Sequence, residues 1–237
     1  YADKIGVSFE STLNKFPSDK VVLTGNPCSE KALSMKKANK ADYGLSKDKK
    51  LVLIVMGSLG SNSVNEKIVS FLNDFKNKDY EVMFVTGNSY YEKVKKLKLP
   101  DNVKIAPFIY EMPKVMKITD LMVTRAGAST MSEILVLGVP SIFIPSPYVT
   151  NNHQYKNAMD LVRKNAGLIL EEKDLTKDNL INLIDSGKIS GKQGKMVLEK
   201  CLSEEKDPHT IVSELGISQI DNDDEIRLIV SDVLNEN

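Results

Sequence analysis

The sequence predicts an α/β chain, a parallel sheet flanked by helices and followed by a small all-α helical module. Three observations carry that expectation. Apolar runs of strand length alternate with amphipathic helical stretches between residues 51 and 170. Loops of glycine and other small residues follow several of those runs. Charge divides the chain: residues 1–173 hold 25 basic and 18 acidic side chains, whereas 174–237 hold 7 basic and 14 acidic.

Residues 51–56, LVLIVM, form a continuous apolar run ending at Gly57, the pattern of a strand buried on both faces. Residues 82–85, 121–124, 141–144 and 167–170 repeat it, and 103–105 is a shorter candidate. Between them, 62–77, 89–97, 111–117, 128–137 and 153–164 carry helical spacing. In 62–77, Val64, Ile68, Phe71, Leu72 and Phe75 share one face. Strands joined by helices in this way run parallel with right-handed crossovers, and ligands then sit at the carboxyl ends of the strands. The signals after residue 174 are helical. Ser190 and Gln193 form a capping box, Asp207-Pro208 opens a second helix, and Asp221 opens a third bearing Ile226, Ile229, Val230 and Val233. The glycine-rich stretch 186–194 marks a module boundary in the interval 172–190.

Composition narrows the function classes. With 41% apolar and 27% charged residues in 237, a sizeable core is expected and wholesale disorder is not. The net charge of zero argues against a chain-wide polyanion binder. No apolar run reaches the roughly 18 residues of a membrane span. Two cysteines, Cys28 and Cys201, make neither a disulfide framework nor a zinc site, so a reducing, cytoplasmic setting is expected. Residue 1 is Tyr, and residues 1–9 do not read as a signal peptide, so the chain is expected to be a piece of something longer.

The chemistry is sought in three loops. Gly57-Ser58-Leu59-Gly60 links a strand to a helix, where free N–H groups and the helix dipole attract phosphate; a plain tight turn is the alternative. Arg125-Ala-Gly-Ala-Ser-Thr-Met-Ser-Glu133 opens a helix. Its small residues admit a ligand to the N-terminus, Ser129 and Thr130 add donors, and Glu133 can accept two hydrogen bonds from a ribose diol. A merely capped helix with a favourable first-turn acid is the alternative. The third loop, residues 145–157, holds His153 and Gln154, which can meet sugar hydroxyls, although a lone His is more often a surface or capping residue. Pro107-Phe-Ile-Tyr-Glu-Met112 can wall a base pocket. No Ser-His-Asp arrangement and no metal cluster is legible, and 221–225 departs from a calcium loop at its sixth and twelfth positions.

In order, Gly25-Asn-Pro27, Gly57-Ser-Leu-Gly60, Pro107-Phe-Ile109 with Met112, Arg125-Ala-Gly-Ala128 with Thr130 and Glu133, and His153-Gln154 with Asn157-Ala158 resemble the C-terminal half of the MurG family. Those enzymes are bacterial N-acetylglucosaminyltransferases of peptidoglycan lipid II synthesis. The resemblance covers about residues 1–173. It implies one Rossmann-like half of a GT-B glycosyltransferase, the half that holds UDP-N-acetylglucosamine, with no cofactor or bound metal. It implies donor-binding roles for Ser58, Gly60, Ile109, Arg125, Ala128, Ser129, Thr130, Met131, Ser132, Glu133, His153 and Gln154, with no catalytic residue among them. Ile109 would meet uracil through its backbone, Glu133 the ribose, and Gln154 the sugar. The family usually has Arg two residues after Gly-Asn-Pro, where this chain has Ser29. The resemblance implies an N-terminal acceptor domain that residues 1–237 are not expected to include. The divisions expected are 1–24 as its remnant with a crossover linker, 25–173 as the UDP-sugar domain and 174–237 as a tail. Alone, the chain is not expected to transfer sugar, and peripheral membrane association belongs to the full-length parent.

The tail resembles a different family. Ile189-Ser-Gly-Lys192, Lys206-Asp-Pro208, Ile211-Val212, Gln219-Ile220 and Val230 with Val233 are similar to the helical part of the C-terminal domain of aspartyl/glutamyl-tRNA amidotransferase B subunits. This implies a chimera, and the alternative function is a non-catalytic fusion with a tRNA-amidotransferase-type tail. A tail bearing seven surplus acidic residues is poorly suited to phosphate neutralisation, so tRNA is not an expected partner.

Overall fold

The computed structural model describes residues 2–8, 10–57, 61–163 and 167–186. Ser58, Gly60 and the three tail helices expected from residue 190 onward lie outside the described residues.

Six strands form one parallel sheet: β3 (Leu51–Val55), β4 (Glu81–Val85), β5 (Val103–Ala106), β6 (Leu121–Thr124), β7 (Ser141–Phe143) and β8 (Gly167–Ile169). Their spatial order is β5-β4-β3-β6-β7-β8, with every pair parallel. Ahead of them, β1 (Ile5–Val7) and β2 (Val21–Leu23) pair with each other in parallel and not with the sheet. The helices are α1 (Pro27–Ser34), α2 (Asn62–Ser70), α3 (Asn88–Val94), α4 (Met112–Met116), α5 (Ala128–Leu137), α6 (His153–Val162) and α7 (Lys177–Asp185).

The two faces of the sheet each carry a core because strand side chains alternate. Val52 and Ile54 of β3, with Val82 and Phe84 of β4, pack under α2, α3 and α7. Leu51, Leu53 and Val55, with Met83 and Val85, pack under α4, α5 and α6. Strands covered on both sides are buried throughout, as β3 and β4 are, and their runs are apolar but for Glu81 at the start of β4. Gly167 of β8 serves close approach: a Cβ there would lie 2.6 Å from the Phe143 ring and 2.7 Å from the Ser141 carbonyl.

One expected helix is shorter than its pattern. The apolar face of 62–77 continues, but α2 ends at Ser70 and a 3₁₀ turn spans Leu72–Phe75. Phe71 leaves helical geometry at φ −123°, ψ 15°. The tighter three-residue spacing of the turn brings both Leu72 and Phe75 to full burial.

α7 belongs physically to this sheet. Thr176 Oγ1 caps it by accepting from the Asn179 amide at 3.2 Å. Leu180, Ile181, Leu183 and Ile184 are buried in the core shared with α2 and α3. At its end, Asp185 accepts from Tyr80 Oη at 2.9 Å and from Lys78 Nζ at 2.6 Å. Burial and that carboxylate hold the Tyr80 phenol well above the usual tyrosine range.

Candidate functional site

The chain leaves β3 toward β4 and β5 on one side, then returns to β6 on the other, so the strand order reverses at the carboxyl ends of β3 and β6. Such a switch point leaves a crevice, because successive crossovers depart to opposite sides. A cavity of about 270 Å³ opens there. Its floor includes Val55 and Gly57 after β3 and Thr124 of β6; Ile109 and Met112 form one wall, and Thr130 and Glu133 of α5 another. Gly57 turns the chain out of β3 at φ +85°, a conformation any side chain would strain.

α5 enters the crevice with its N-terminus open. Gly127 is the cap residue and offers no side-chain cap, so the first N–H groups of the helix stay available. Ala128 and Ser129 are exposed there and Thr130 is half-buried. Glu133 lies one turn further in. Its carboxylate makes no hydrogen bond or ion pair with any described residue. Burial raises its pKa above the usual carboxylate range, and Lys31 pulls partly the other way. An unpartnered, half-buried acid beside a cavity is the kind of group a ligand completes. If Glu133 accepts ribose hydroxyls, nucleotide binding weakens as pH falls through that raised pKa. The loss then starts at higher pH than for an ordinary carboxylate. Nucleotide affinity titrated from pH 7.5 downward, set against Glu133→Gln, whose binding should stay flat, measures this.

The remaining predicted residues are placed variously. Ile109, Thr130 and Glu133 line the cavity together. Met131 is fully buried under the sheet, and Ser132 Oγ donates to the Ala128 carbonyl at 2.9 Å, so both side chains serve the helix. Gln154 Oε1 accepts from the Ser146 amide at 2.9 Å, which ties the loop after β7 to the start of α6. His153 is exposed, with Nδ1 3.0 Å from the Thr150 carbonyl. Ser29 donates to the Ser132 carbonyl at 3.2 Å, and Cys28 Sγ to the Ser129 carbonyl at 3.4 Å. These two contacts fasten α1 against the first turn of α5.

Arg125 turns away from the cavity. Its guanidinium donates to Glu172 Oε2 at 2.7 Å, Ser61 Oγ at 2.9 Å and the Ile144 carbonyl at 3.0 Å. Both members of the ion pair are only 9% exposed. Glu172 also accepts from Ser63 Oγ at 2.8 Å, and its carbonyl accepts from Lys67 Nζ at 2.7 Å. The pair therefore ties the ends of β6 and β7 and the turn after β8 to the start of α2. In this geometry the Arg125 guanidinium is engaged within the fold, where the sequence suggested a donor contact.

Sequence reasoning passed over Glu172, Asn65 and Lys31. Asn65 is fully buried and its Nδ2 donates to the Thr86 carbonyl at 2.8 Å, tying α2 to the end of β4. The available signal was a polar residue beside Val64 on the apolar face of a helix. Glu172 had no comparable signal, because its partners lie 47 and 109 residues away. A larger concavity, of about 830 Å³, opens at the opposite edge of the sheet among Lys49, Lys76, Lys78 and Lys98. It faces the amino ends of the strands, away from every loop singled out above.

The comparisons bear on this arrangement. The model of the glycosyltransferase family 28 C-terminal domain matches residues 51–209. A Bacillus cytotoxicus enzyme named UDP-N-acetylglucosamine–N-acetylmuramyl-(pentapeptide) pyrophosphoryl-undecaprenol N-acetylglucosamine transferase is 48% identical over 190 residues, 78% of this chain and 52% of its own. The enzyme of that name from Halalkalibacterium halodurans is 45% identical over 190 residues, with the same two shares. The chain thus spans about half the length of the curated relatives it matches. Acinetobacter baumannii MurG superposes with a TM-score of 0.60 at 29% identity, over 76% of this chain and 52% of its own. The calicheamicin glycosyltransferase CalG4 reaches the same 0.60 over 91% of this chain and 52% of its own, at 14% identity, a likeness of fold alone. No helix among the described residues is long and apolar enough to cross a membrane. The family match runs through the sheet, the crevice and α7, and nearly half of the aligned residues are shared with the Bacillus cytotoxicus transferase; the chain belongs to the glycosyltransferase family 28 C-terminal domain family.

Proposed function

We propose that this chain is the donor-binding half of a hexosyltransferase that takes UDP-N-acetylglucosamine and serves peptidoglycan lipid II synthesis. The carrying observation is Glu133, an unpartnered half-buried carboxylate beside the cavity and one turn inside the open N-terminus of α5. In this reading uracil sits in the apolar part of the cavity and meets the Ile109 backbone. The ribose diol donates to Glu133. The diphosphate meets the free N–H groups of Ala128, Ser129 and Thr130, where the helix dipole adds its partial positive charge. The sugar extends toward Gln154 and His153. Ser58 and Gly60 retain their proposed contact with the diphosphate, and Arg125 holds Ser61 at the start of α2.

Residues 1–24 fit this reading as the last element of an acceptor domain and the linker from it, since β1 and β2 stand apart from the main sheet. The acceptor, a lipid-linked sugar, and the catalytic base would come from that other domain, in a cytoplasmic enzyme resting against the membrane. We place the end of the transferase unit beyond 173. α7 is packed into its core, and the family model continues to residue 209. The fusion reading, with an amidotransferase-type tail, rests on the wording of residues 189–233 and gains nothing from these comparisons.

Calorimetric titration with UDP, UDP-N-acetylglucosamine and UMP tests the proposal. UDP and the UDP-sugar should bind with affinities within a few-fold of each other, and UMP at least tenfold more weakly. A folded sample that takes up neither diphosphate overturns it.

A further inference from the structure

The crevice presents a charge problem that its obvious groups do not solve. A nucleoside diphosphate brings more negative charge than the roughly half unit of positive charge at a helix N-terminus can offset. Glu133, ionised when it accepts ribose hydroxyls, adds another negative charge to the same cavity. Among the described residues lining the cavity, the single cationic side chain is Lys31, from the last turn of α1.

The position of Lys31 is not accidental to the packing. α1 starts with Asn26 as its cap, whose Oδ1 accepts from the Cys28 amide at 3.1 Å, and Pro27 at its first position. Its opening turn is then fastened to α5 by Cys28 and Ser29. One turn on, Ala32 is fully buried, so Lys31 beside it falls at the border between the packed face and the cavity, with Met35. Lys31 is exposed and makes no hydrogen bond or ion pair with any described residue, although several other lysines do. It is near enough to Glu133 to act on that carboxylate electrostatically. A flexible stem with a point charge can therefore move between the empty site and an incoming phosphate without breaking an existing bond.

We propose that Lys31 is the side chain that receives the diphosphate of the donor nucleotide and gives this site its preference for nucleoside diphosphates over nucleosides. The inference rests on the donor-site reading above and names the group that completes it. Ser29 cannot do the same work, because its hydroxyl is neutral and is already donated to the Ser132 carbonyl. In the empty site Lys31 helps to keep Glu133 ionised, and in the filled site it moves to the phosphate.

The test compares UDP with uridine, using calorimetry on the full chain at two salt concentrations. Lys31→Met should weaken UDP roughly tenfold, the scale of a hydrogen bond between charged groups, and leave uridine within about twofold. The dependence of UDP affinity on salt should become shallower. Lys31→Arg should restore most of the loss, and Lys36→Met, an exposed lysine of the same segment, should change nothing. UDP binding by Lys31→Met at the wild-type affinity and salt dependence overturns the inference, as does an equal loss in Lys36→Met. A wild-type chain that binds uridine but does not favour UDP also overturns it while sparing the nucleoside site. A wild-type chain that binds neither removes the underlying reading.

Discussion

Glu133→Ala is expected to weaken UDP and uridine alike, by roughly 30- to 100-fold. Two ribose hydroxyls donating to one carboxylate are charge-assisted hydrogen bonds, each worth about 1.5–3 kcal/mol when buried. Glu133 is half-buried, so the pair is expected to contribute about 2–2.7 kcal/mol, less than two fully buried bonds of this kind. The loss should be equal for UDP and uridine because the ribose is common to both, the opposite of the pattern expected at Lys31. The fold itself should not suffer. Burial raises the Glu133 pKa in the native state, so the native state holds the proton more tightly than the unfolded chain. That contribution is fully present below the unfolded pKa and disappears as pH rises through the native one. At neutral pH the ionised group is therefore held at some cost to stability, and the alanine variant should melt at or slightly above the wild-type temperature. Unchanged uridine affinity in a folded Glu133→Ala protein would remove the ribose assignment.

The second large effect is expected at the Arg125–Glu172 pair. Removing one partner of a buried ion pair leaves the other charged and desolvated, at a cost of about 3–5 kcal/mol. That is a substantial share of the roughly 5–15 kcal/mol available to a domain of this kind. Arg125→Met and Glu172→Leu should each lower the urea midpoint strongly. The double variant should be much less destabilised than the sum of the two, because no charge is then left without its partner. Function should not follow stability. The double variant releases Ser61 and Ser63, which Arg125 and Glu172 hold, so UDP affinity should fall while uridine affinity stays near the wild-type value. Additive destabilisation, or an unaltered UDP preference in the folded double variant, would show that the pair is not a brace for the phosphate loop.

The six strands of the main sheet and most helices were legible in the sequence for a plain reason, while β1 and β2 were not. A parallel strand covered on both faces is mostly apolar, and β3, β4, β6 and β7 are fully buried in runs that stand out against polar surroundings, with polar residues only at strand ends (Glu81, Thr124, Ser141). α5 starts and ends where its pattern said, because Gly127 and Gly138 bracket it. The break at Phe71 was not legible. Helical and 3₁₀ spacing both place Leu72 and Phe75 on the apolar side, and only the packing against β4 and α7 chooses between them. The loops after β3, β6 and β7 could be found from composition, since small residues before a helix announce an open N-terminus.

Side-chain direction within those loops was a different matter. Arg125 follows a strand and stands two residues before Gly127, a setting as suitable for a ligand contact as for a brace. Glu172, distant in sequence, supplies the buried countercharge that the guanidinium meets in this structure. Lys31 looked like one of many surface lysines until α1 docked on α5 and brought it to the rim of the cavity. Ser29 looked like a gap in a motif until its hydroxyl reached the Ser132 carbonyl. By itself, then, the sequence determined the sheet, the order of its loops and the acid at the helix start, because periodicity and local chemistry act over a few residues. The tertiary structure alone decided which charged groups face the cavity and which are consumed in holding it, because a charge is paired or left free by neighbours that the fold brings from the far end of the chain.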